Sequence, residues 1–148
     1  MKKLAIIFML YLFLSGCAEL DYVHDAPRRV KAADWSKMKS VTVVLSEYSF
    51  SPDRIGFKAN VPYKLQLINK GSEKHYFTAD KFFRSIAMQK VQSNSDGEIK
   101  APYLTSIEVY PGRSLDVYFI PVKKGFYSLK CTMRGHAVKG VVGKIAIK

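Results

Sequence analysis

The chain has 148 residues, of which 48% are hydrophobic and 13% aromatic, and it carries a formal net charge of +12. This length suits a single domain, and the hydrophobic content excludes a chain that is disordered throughout. The basic residues stand singly or in pairs, with no run of five or more. The charge therefore indicates a solvated basic face or docking to an acidic partner, and it argues against nucleic-acid binding.

The first segment of the chain has the pattern of a secretory leader. Two lysines precede Leu4 to Leu14, an uninterrupted apolar or aromatic run of 11 residues. A bilayer span needs about 20 such residues, so this run predicts a signal peptide over residues 1–16. The run ends in Leu14-Ser15-Gly16-Cys17, which resembles the bacterial lipobox. An ordinary secretory signal with an incidental cysteine is the alternative.

The resemblance to the lipobox implies that Cys17 is lipidated and becomes the mature N-terminus. Acyl chains there would anchor the protein to a membrane that it does not span. Ala18 follows the cysteine in place of aspartate, which by similarity to diderm lipoproteins indicates the periplasmic face of the outer membrane. We expect residues 17–40, where charges replace apolar periodicity, to form the lipidated tether, and residues 41–148 to form the folded domain.

From Val41 onward the hydrophobic pattern changes to a period of two, which is typical of strands. Seven or so strand-like runs follow at a spacing of roughly 8–15 residues, separated by turn signals such as Pro111-Gly112. The runs lie at 41–45, 54–58, 63–69, 75–78, 107–109, 115–119, 126–129 and 142–147. Helical spacing after Asp80 predicts one short helix over residues 81–88. The sequence therefore predicts an all-β sandwich with one short helical excursion.

Three residues of this predicted domain carry metal-ligand chemistry. Cys131 and His136 stand between two strand-like runs, and a tight loop there can aim both at one point. Thiolate and imidazole are ligands that soft and borderline first-row metals select. Because lipid would consume Cys17, Cys131 is an unpaired thiol in an oxidising compartment, explained by metal ligation or by burial as a small hydrophobe. His75 lies 56 residues before Cys131, so only the fold can add it as a third ligand.

These residues resemble the cupredoxin family of blue-copper-like proteins, over Val41 to Lys148. The stretches Tyr48 to Pro52 and Tyr63 to Asn69 look like the opening strands of that family. His75 follows a turn, where the family places its first histidine ligand, and Cys131-x4-His136-x3-Gly140 is similar to the C-terminal ligand loop. The resemblance implies a Greek-key β-sandwich with one copper ion, cycling between Cu(I) and Cu(II), held by one cysteine and two histidines.

One position of the loop departs from the family pattern. A methionine that serves as axial ligand follows the loop glycine in the family, whereas Val141 follows Gly140 here. Losing a thioether donor favours copper(I) and raises the reduction potential. Met133 and Met88 are alternative fourth ligands, although apolar packing is the simpler role for both. Glu73 could hydrogen-bond to a ligand, but the simpler interpretation is a solvated turn residue.

The resemblance thus implies a monomeric, lipid-anchored, periplasmic mononuclear copper protein. It would transfer electrons, or hand copper between a donor and an acceptor protein, with an acidic redox or copper partner. The alternative is a metal-free cupredoxin-like module in adhesion or assembly.

An enzyme is not expected, because hydrolase and zinc-protease motifs are missing and three histidines in the whole chain cannot also build a second metal cluster. Cys131 and His136 as a nucleophile and base would lack a visible oxyanion arrangement.

Overall fold

The computed structural model describes residues 21–93 and 97–148. The helical elements are α1 (Ala26–Ala32), a 3₁₀ turn (Trp35–Lys37) and α2 (Asp80–Phe83). The strands are β1 (Lys39–Ser46), β2 (Ser49–Ser51), β3 (Arg54–Phe57), β4 (Tyr63–Asn69), β5 (His75–Thr78), β6 (Ile86–Ser93), β7 (Gly97–Ile99), β8 (Ser106–Val109), β9 (Ser114–Pro121), β10 (Gly125–Lys130) and β11 (Val142–Ile147).

The strands form two sheets that share one apolar core. One sheet has six strands in the order β2-β1-β4-β9-β6-β7, and the other has five in the order β3-β11-β10-β5-β8. β1 runs parallel to β4 and β3 runs parallel to β11, whereas the other described pairs are antiparallel. The predicted all-β sandwich with few helical residues is confirmed. The described residues contain more strands than the seven or so expected: β2 and β7 are only three residues long, and β6 covers residues for which a helix was expected.

Alternation along the strands explains how the core is filled. In β4, Tyr63, Leu65 and Leu67 are buried, and the residues between them are half-buried on the other face. Such a period of two sends one set of side chains to the core and the other to the outer face. The core is aromatic, and Phe57 and Phe119 meet edge to face with ring centroids 5.1 Å apart. Burying each such side chain contributes about 1.5–3 kcal/mol.

The helix predicted over residues 81–88 is wrong beyond its first turn. α2 ends at Phe83, and Ile86, Ala87 and Met88 belong to β6. These three residues pair with β9 across the six-stranded sheet, so long-range strand pairing overrides the local helical spacing. Met88 is therefore a strand residue that is buried in the core.

The segment expected to be a tether over residues 17–40 differs from that expectation in its described part. Val23 and Ala26 pack against Ala87 and Ile120 in a second apolar cluster. Ala87 and Ile120 alternate with residues that face the main core, so they point to the opposite face of the six-stranded sheet. That face is apolar at this place and the N-terminal segment covers it. The packed part of the chain therefore begins before residue 41.

The predicted signal peptide, residues 1–16, and the predicted lipidation site Cys17 lie outside the described residues and stay predictions. Across residues 21–93 and 97–148, no helix combines the length and the apolar character that crossing a bilayer requires.

Candidate metal centre

Three donor atoms meet inside the sandwich. The Nδ1 atoms of His75 and His136 lie 3.9 Å and 3.6 Å from the Sγ atom of Cys131. The ligand atoms of all three residues lie within 4.8 Å of one another, and all three side chains are buried. Nitrogen and sulfur bind a first-row ion at about 2.0–2.3 Å, so three donors around one ion lie about 3.5–4 Å apart. The separations fit a single ion.

The turn before β5 fixes the position of His75. Asn69, which is buried at the end of β4, donates from Nδ2 to the backbone carbonyl oxygens of Glu73 and Val109, each over 2.8 Å. Its Oδ1 atom accepts the N–H of Gly71 over 2.8 Å. Val109 is also the partner of His75 in the pairing of β5 with β8. Asn69 thereby ties both sides of the ligand strand together, a role that sequence reasoning missed.

The loop between β10 and β11 positions the other two ligands. The N–H of Cys131 donates to the carbonyl of Val141 over 2.9 Å, and the N–H of Val141 donates to the carbonyl of His136 over 3.0 Å. Gly140 has a φ of 109°, which glycine adopts without steric cost. The loop therefore closes on itself and holds both ligands on the same side of the chain.

A backbone donor faces the sulfur atom. The N–H of Tyr76, the residue after His75, lies 3.3 Å from Cys131 Sγ. The sulfur atom accepts this hydrogen bond, so the contact fixes the position of Cys131 Sγ beside the two histidine rings. The strand that supplies the first histidine thus also supports the sulfur ligand.

The outer nitrogen of each histidine faces a carboxylate. His136 Nε2 lies 2.8 Å from Glu73 Oε2, and His75 Nε2 lies 3.4 Å from Glu47 Oε1. Glu47 Oε1 also accepts the N–H of Glu73 over 2.8 Å. Glu73 is half-exposed as a turn residue would be, but the interpretation that it is merely solvated is wrong. Glu47 was missed because nothing in its local sequence connects it with a histidine 28 residues away.

The electrostatics of the site favour a neutral His75 beside a charged Glu47. Burial lowers the pKa of His75 below its usual value, and the neighbouring Glu47 carboxylate opposes this shift. The N–H of Glu73 holds the pKa of Glu47 below its usual range. Near neutral pH, His75 therefore keeps a nitrogen lone pair available for a metal.

The position after the loop glycine offers no fourth ligand. Val141 is fully buried in the core and its side chain has no donor atom. Met133 packs against the same core from the loop, and Met88 lies in β6. Both methionines make the apolar packing contacts that the sequence favoured for them, and a ligand role for either stays a prediction.

Surface groups surround the His136 side of the site. The ring of Tyr48 lies edge-on to the His136 ring, with centroids 5.7 Å apart. Lys139 Nζ lies 4.4 Å from the Tyr48 ring centroid and donates to its hydroxyl over 3.0 Å. Val138, on the same loop, is 94% exposed. The surface beside His136 is thus both apolar and basic.

A two-sheet sandwich with a buried Cys-His-His set defines the class of cupredoxin-type copper proteins. Residues 4–142 match the family model described as the cupredoxin-like domain. The match covers most of the chain, so the protein belongs to the cupredoxin-like family. The donor set fits one copper ion. No curated protein matches the chain significantly.

Solved structures of copper proteins share the fold. Auracyanin from Roseiflexus castenholzii is 13% identical with a TM-score of 0.53, over 74% of this chain and 96% of that one. A copper-containing nitrite reductase from Thermus scotoductus is 13% identical with a TM-score of 0.60, over 88% and 34%. A multicopper oxidase from Campylobacter jejuni is 18% identical with a TM-score of 0.54, over 76% and 30%. The chain spans about a third of the length of either enzyme, and these likenesses establish the fold.

Proposed function

We propose that this protein is a lipid-anchored, periplasmic electron-transfer protein with one copper ion held by His75, Cys131 and His136. The observation that carries the proposal is the assembly of the three donor atoms at metal-ligand separations inside a buried pocket. A bound copper ion would supply one-electron redox chemistry. The chain would supply a rigid set of ligands that need not move when the electron arrives.

The burial of the ligands favours electron transfer over copper delivery. His75 and Cys131 are fully buried and His136 is 3% exposed, and backbone hydrogen bonds hold the loop that carries two of them. A delivery site must release its ion to a partner, which is easier for exposed ligands on a mobile loop. A preassembled, enclosed site suits an ion that stays in place while electrons pass.

A carrier is also favoured over an enzyme. Among residues 21–93 and 97–148, His75, Cys131 and His136 are the one group of three or more histidine, cysteine or acidic side chains close enough to share an ion. A copper oxidase or reductase needs a further metal site for its substrate. We therefore infer that the protein, a monomer, exchanges electrons with a separate redox protein.

The surface beside His136 suits an acidic partner. Val138 offers an exposed apolar contact and Lys139 a positive charge, and the whole chain carries a net charge of +12. Charge complementarity raises association rates most at low ionic strength. The reaction with an acidic redox partner should therefore slow as salt is added.

Copper titration of the full-length protein in detergent tests the metal site. We expect one copper per chain and, by resemblance to the family, a visible thiolate-to-copper(II) absorption band that disappears reversibly on reduction. Cys131→Ser should lose the band, whereas Cys17→Ser, the matched control for a thiol, should keep it. Colourless copper(I) binding with fast transfer to an acceptor would instead indicate copper delivery. If the wild-type protein binds no copper, the copper proposal is wrong and the alternative of a metal-free module is favoured.

Fractionation of cells tests the anchor separately. The wild-type protein should sediment with the outer membrane and incorporate a labelled fatty acid. Cys17→Ser should do neither, since its acyl chains would be missing. Equal membrane association of both forms would contradict the lipid anchor without affecting the copper site.

A further inference from the structure

We propose that Glu47 and Glu73 form a carboxylate pair that orients the two histidine ligands and stabilises copper(II) relative to copper(I). The proposal rests on the proposed function as a copper protein. It assigns both glutamates as positioning residues that act through the outer nitrogens of His75 and His136. The pair would offset the rise in reduction potential that a site without a thioether ligand otherwise has.

Glu73 fixes the tautomer of His136. The two nitrogens of this ring face different groups, since Nδ1 lies 3.6 Å from Cys131 Sγ and Nε2 lies 2.8 Å from Glu73 Oε2. Because a carboxylate oxygen accepts hydrogen bonds, the short contact with Glu73 Oε2 places a ring hydrogen on Nε2. Nδ1 then keeps its lone pair for the ion. The tautomer that binds copper is therefore selected before copper arrives.

The Glu47 carboxylate contacts both His75 and the backbone N–H of Glu73. His75 Nε2 is fully buried and makes no hydrogen bond with any described residue, yet it lies 3.4 Å from Glu47 Oε1. When Nδ1 binds an ion, Nε2 carries a hydrogen, and a buried N–H without a partner is costly. A small rotation of the Glu47 side chain supplies that partner. The N–H of Glu73, over 2.8 Å, already holds the same oxygen in place.

The charge of the pair favours the more positive oxidation state. A bound copper ion would supply a one-electron couple, copper(II) to copper(I), with the electron coming from the redox partner, and the couple would require no proton transfer and no broken ligand bond. A fixed negative charge beside the site stabilises copper(II) more than copper(I). A carboxylate bonded to the outer N–H also makes the imidazole a stronger base toward the metal. Both effects lower the potential.

Glutamine variants of the full-length protein in detergent test the charge. Glu47→Gln and Glu73→Gln should each still bind one copper. In each, the preference for copper(II) over copper(I) should fall about tenfold, which corresponds to a potential about 59 mV higher for a one-electron couple. Spectroelectrochemical titration measures this shift. Glu108→Gln is the matched control, because Glu108 bonds to Tyr76 and Lys74 and faces neither histidine. In this variant the preference for copper(II) over copper(I) should change less than twofold.

Nitrogen NMR of the histidine rings in the copper-free protein tests the orientation. The wild-type protein should show His136 with its proton on Nε2, and Glu73→Gln should keep this tautomer because the amide oxygen still accepts. Glu73→Ala should give a mixture. If copper binds but Glu47→Gln and Glu73→Gln have the same reduction potential as Glu108→Gln, then the charges of the two glutamates do not stabilise copper(II). That result would leave the proposed copper site itself unaffected. An unchanged tautomer in Glu73→Ala overturns the positioning role, with or without copper binding.

Discussion

The carboxylate of Glu47 occupies the space that a side chain at Gly71 would need. A Cβ atom at residue 71 would lie 2.8 Å from Glu47 Cδ and closer still to both carboxylate oxygens. The backbone of Gly71 is not in the left-handed region, so other residues could adopt its conformation. The glycine is therefore required by the close approach of Glu47, which the same turn holds through the N–H of Glu73.

Gly71→Ala should displace Glu47 without unfolding the protein. The clash involves the end of a flexible, partly exposed side chain, so we expect a stability loss of only about 0.5–1 kcal/mol. The reduction potential should rise by about the amount expected for Glu47→Gln, because the displaced carboxylate no longer lies beside His75. Denaturant unfolding and redox titration measure the two effects.

Gly56→Ala is the control for this substitution. Gly56 lies in β3, and a Cβ there would have nothing within 4 Å, so its potential should equal that of the wild type. If Gly71→Ala also keeps the wild-type potential while Glu47→Gln shifts it, then Glu47 is not held by the turn in the way described.

Replacing Asn69 should cost both stability and copper affinity. Its side chain makes three hydrogen bonds, and Asn69→Ala would leave the part-buried carbonyl group of Glu73 and the buried carbonyl group of Val109 without that donor. Each such loss costs about 1–3 kcal/mol, so we expect a total of about 2–6 kcal/mol in denaturant unfolding. Copper affinity should fall about tenfold in a competition assay, because the turn positions His75.

Thr42→Ala is the control for Asn69→Ala. Thr42 is exposed on β1 and makes a long side-chain contact of 3.5 Å with Gln66, so its loss should change stability by less than about 0.5 kcal/mol. An Asn69→Ala protein as stable as Thr42→Ala would show that the buried amide does not hold the two sides of the ligand strand together.

Much of this arrangement is visible in the sequence. The start of a strand at His75 follows from the turn residues before it, and β5 does begin there. The loop that carries Cys131 and His136 follows from its glycines, Gly135 and Gly140, between two strand-like runs. Both are local patterns, so the family resemblance and the three donors could be predicted without coordinates.

Other features depend on contacts that no local pattern encodes. The residues from Ile86 to Met88 have helical spacing, yet their pairing with β9 makes them a strand. Ala87 lies on the second face of this strand, which α1 covers. Glu47 reaches the site through the fold, with no signal near residue 47.

A thioether introduced at position 141 should lower the reduction potential. Val141 stands where the family resemblance places the axial methionine, and Val141→Met would add a soft donor that the present site lacks. Val141 is fully buried, so the larger side chain should also cost about 1–3 kcal/mol in stability. Redox titration and denaturant unfolding measure these effects.

Val141→Leu separates the two causes, since leucine adds volume without sulfur. We expect a similar stability loss in Val141→Leu but a potential close to that of the wild type. Equal potentials in the methionine and leucine variants would mean that the side chain at position 141 does not reach the ion.

The stability of the helix α1 should fall in acid. Arg29 and Arg28 donate to Asp25 and lower its pKa from 3.8 to about 2. Because the folded-state pKa lies below the unfolded one, the contribution of this carboxylate is complete above about pH 4 and is lost as the pH falls toward 2. The pair is exposed, so amide-exchange protection in α1 should fall only about twofold over that range. In Asp25→Asn, α1 should already have the lower protection at pH 6. Lowering the pH should cause no further loss through residue 25, because this side chain no longer titrates. Equal protection of α1 in both proteins at pH 6 would contradict a role for Asp25 in stabilising this helix.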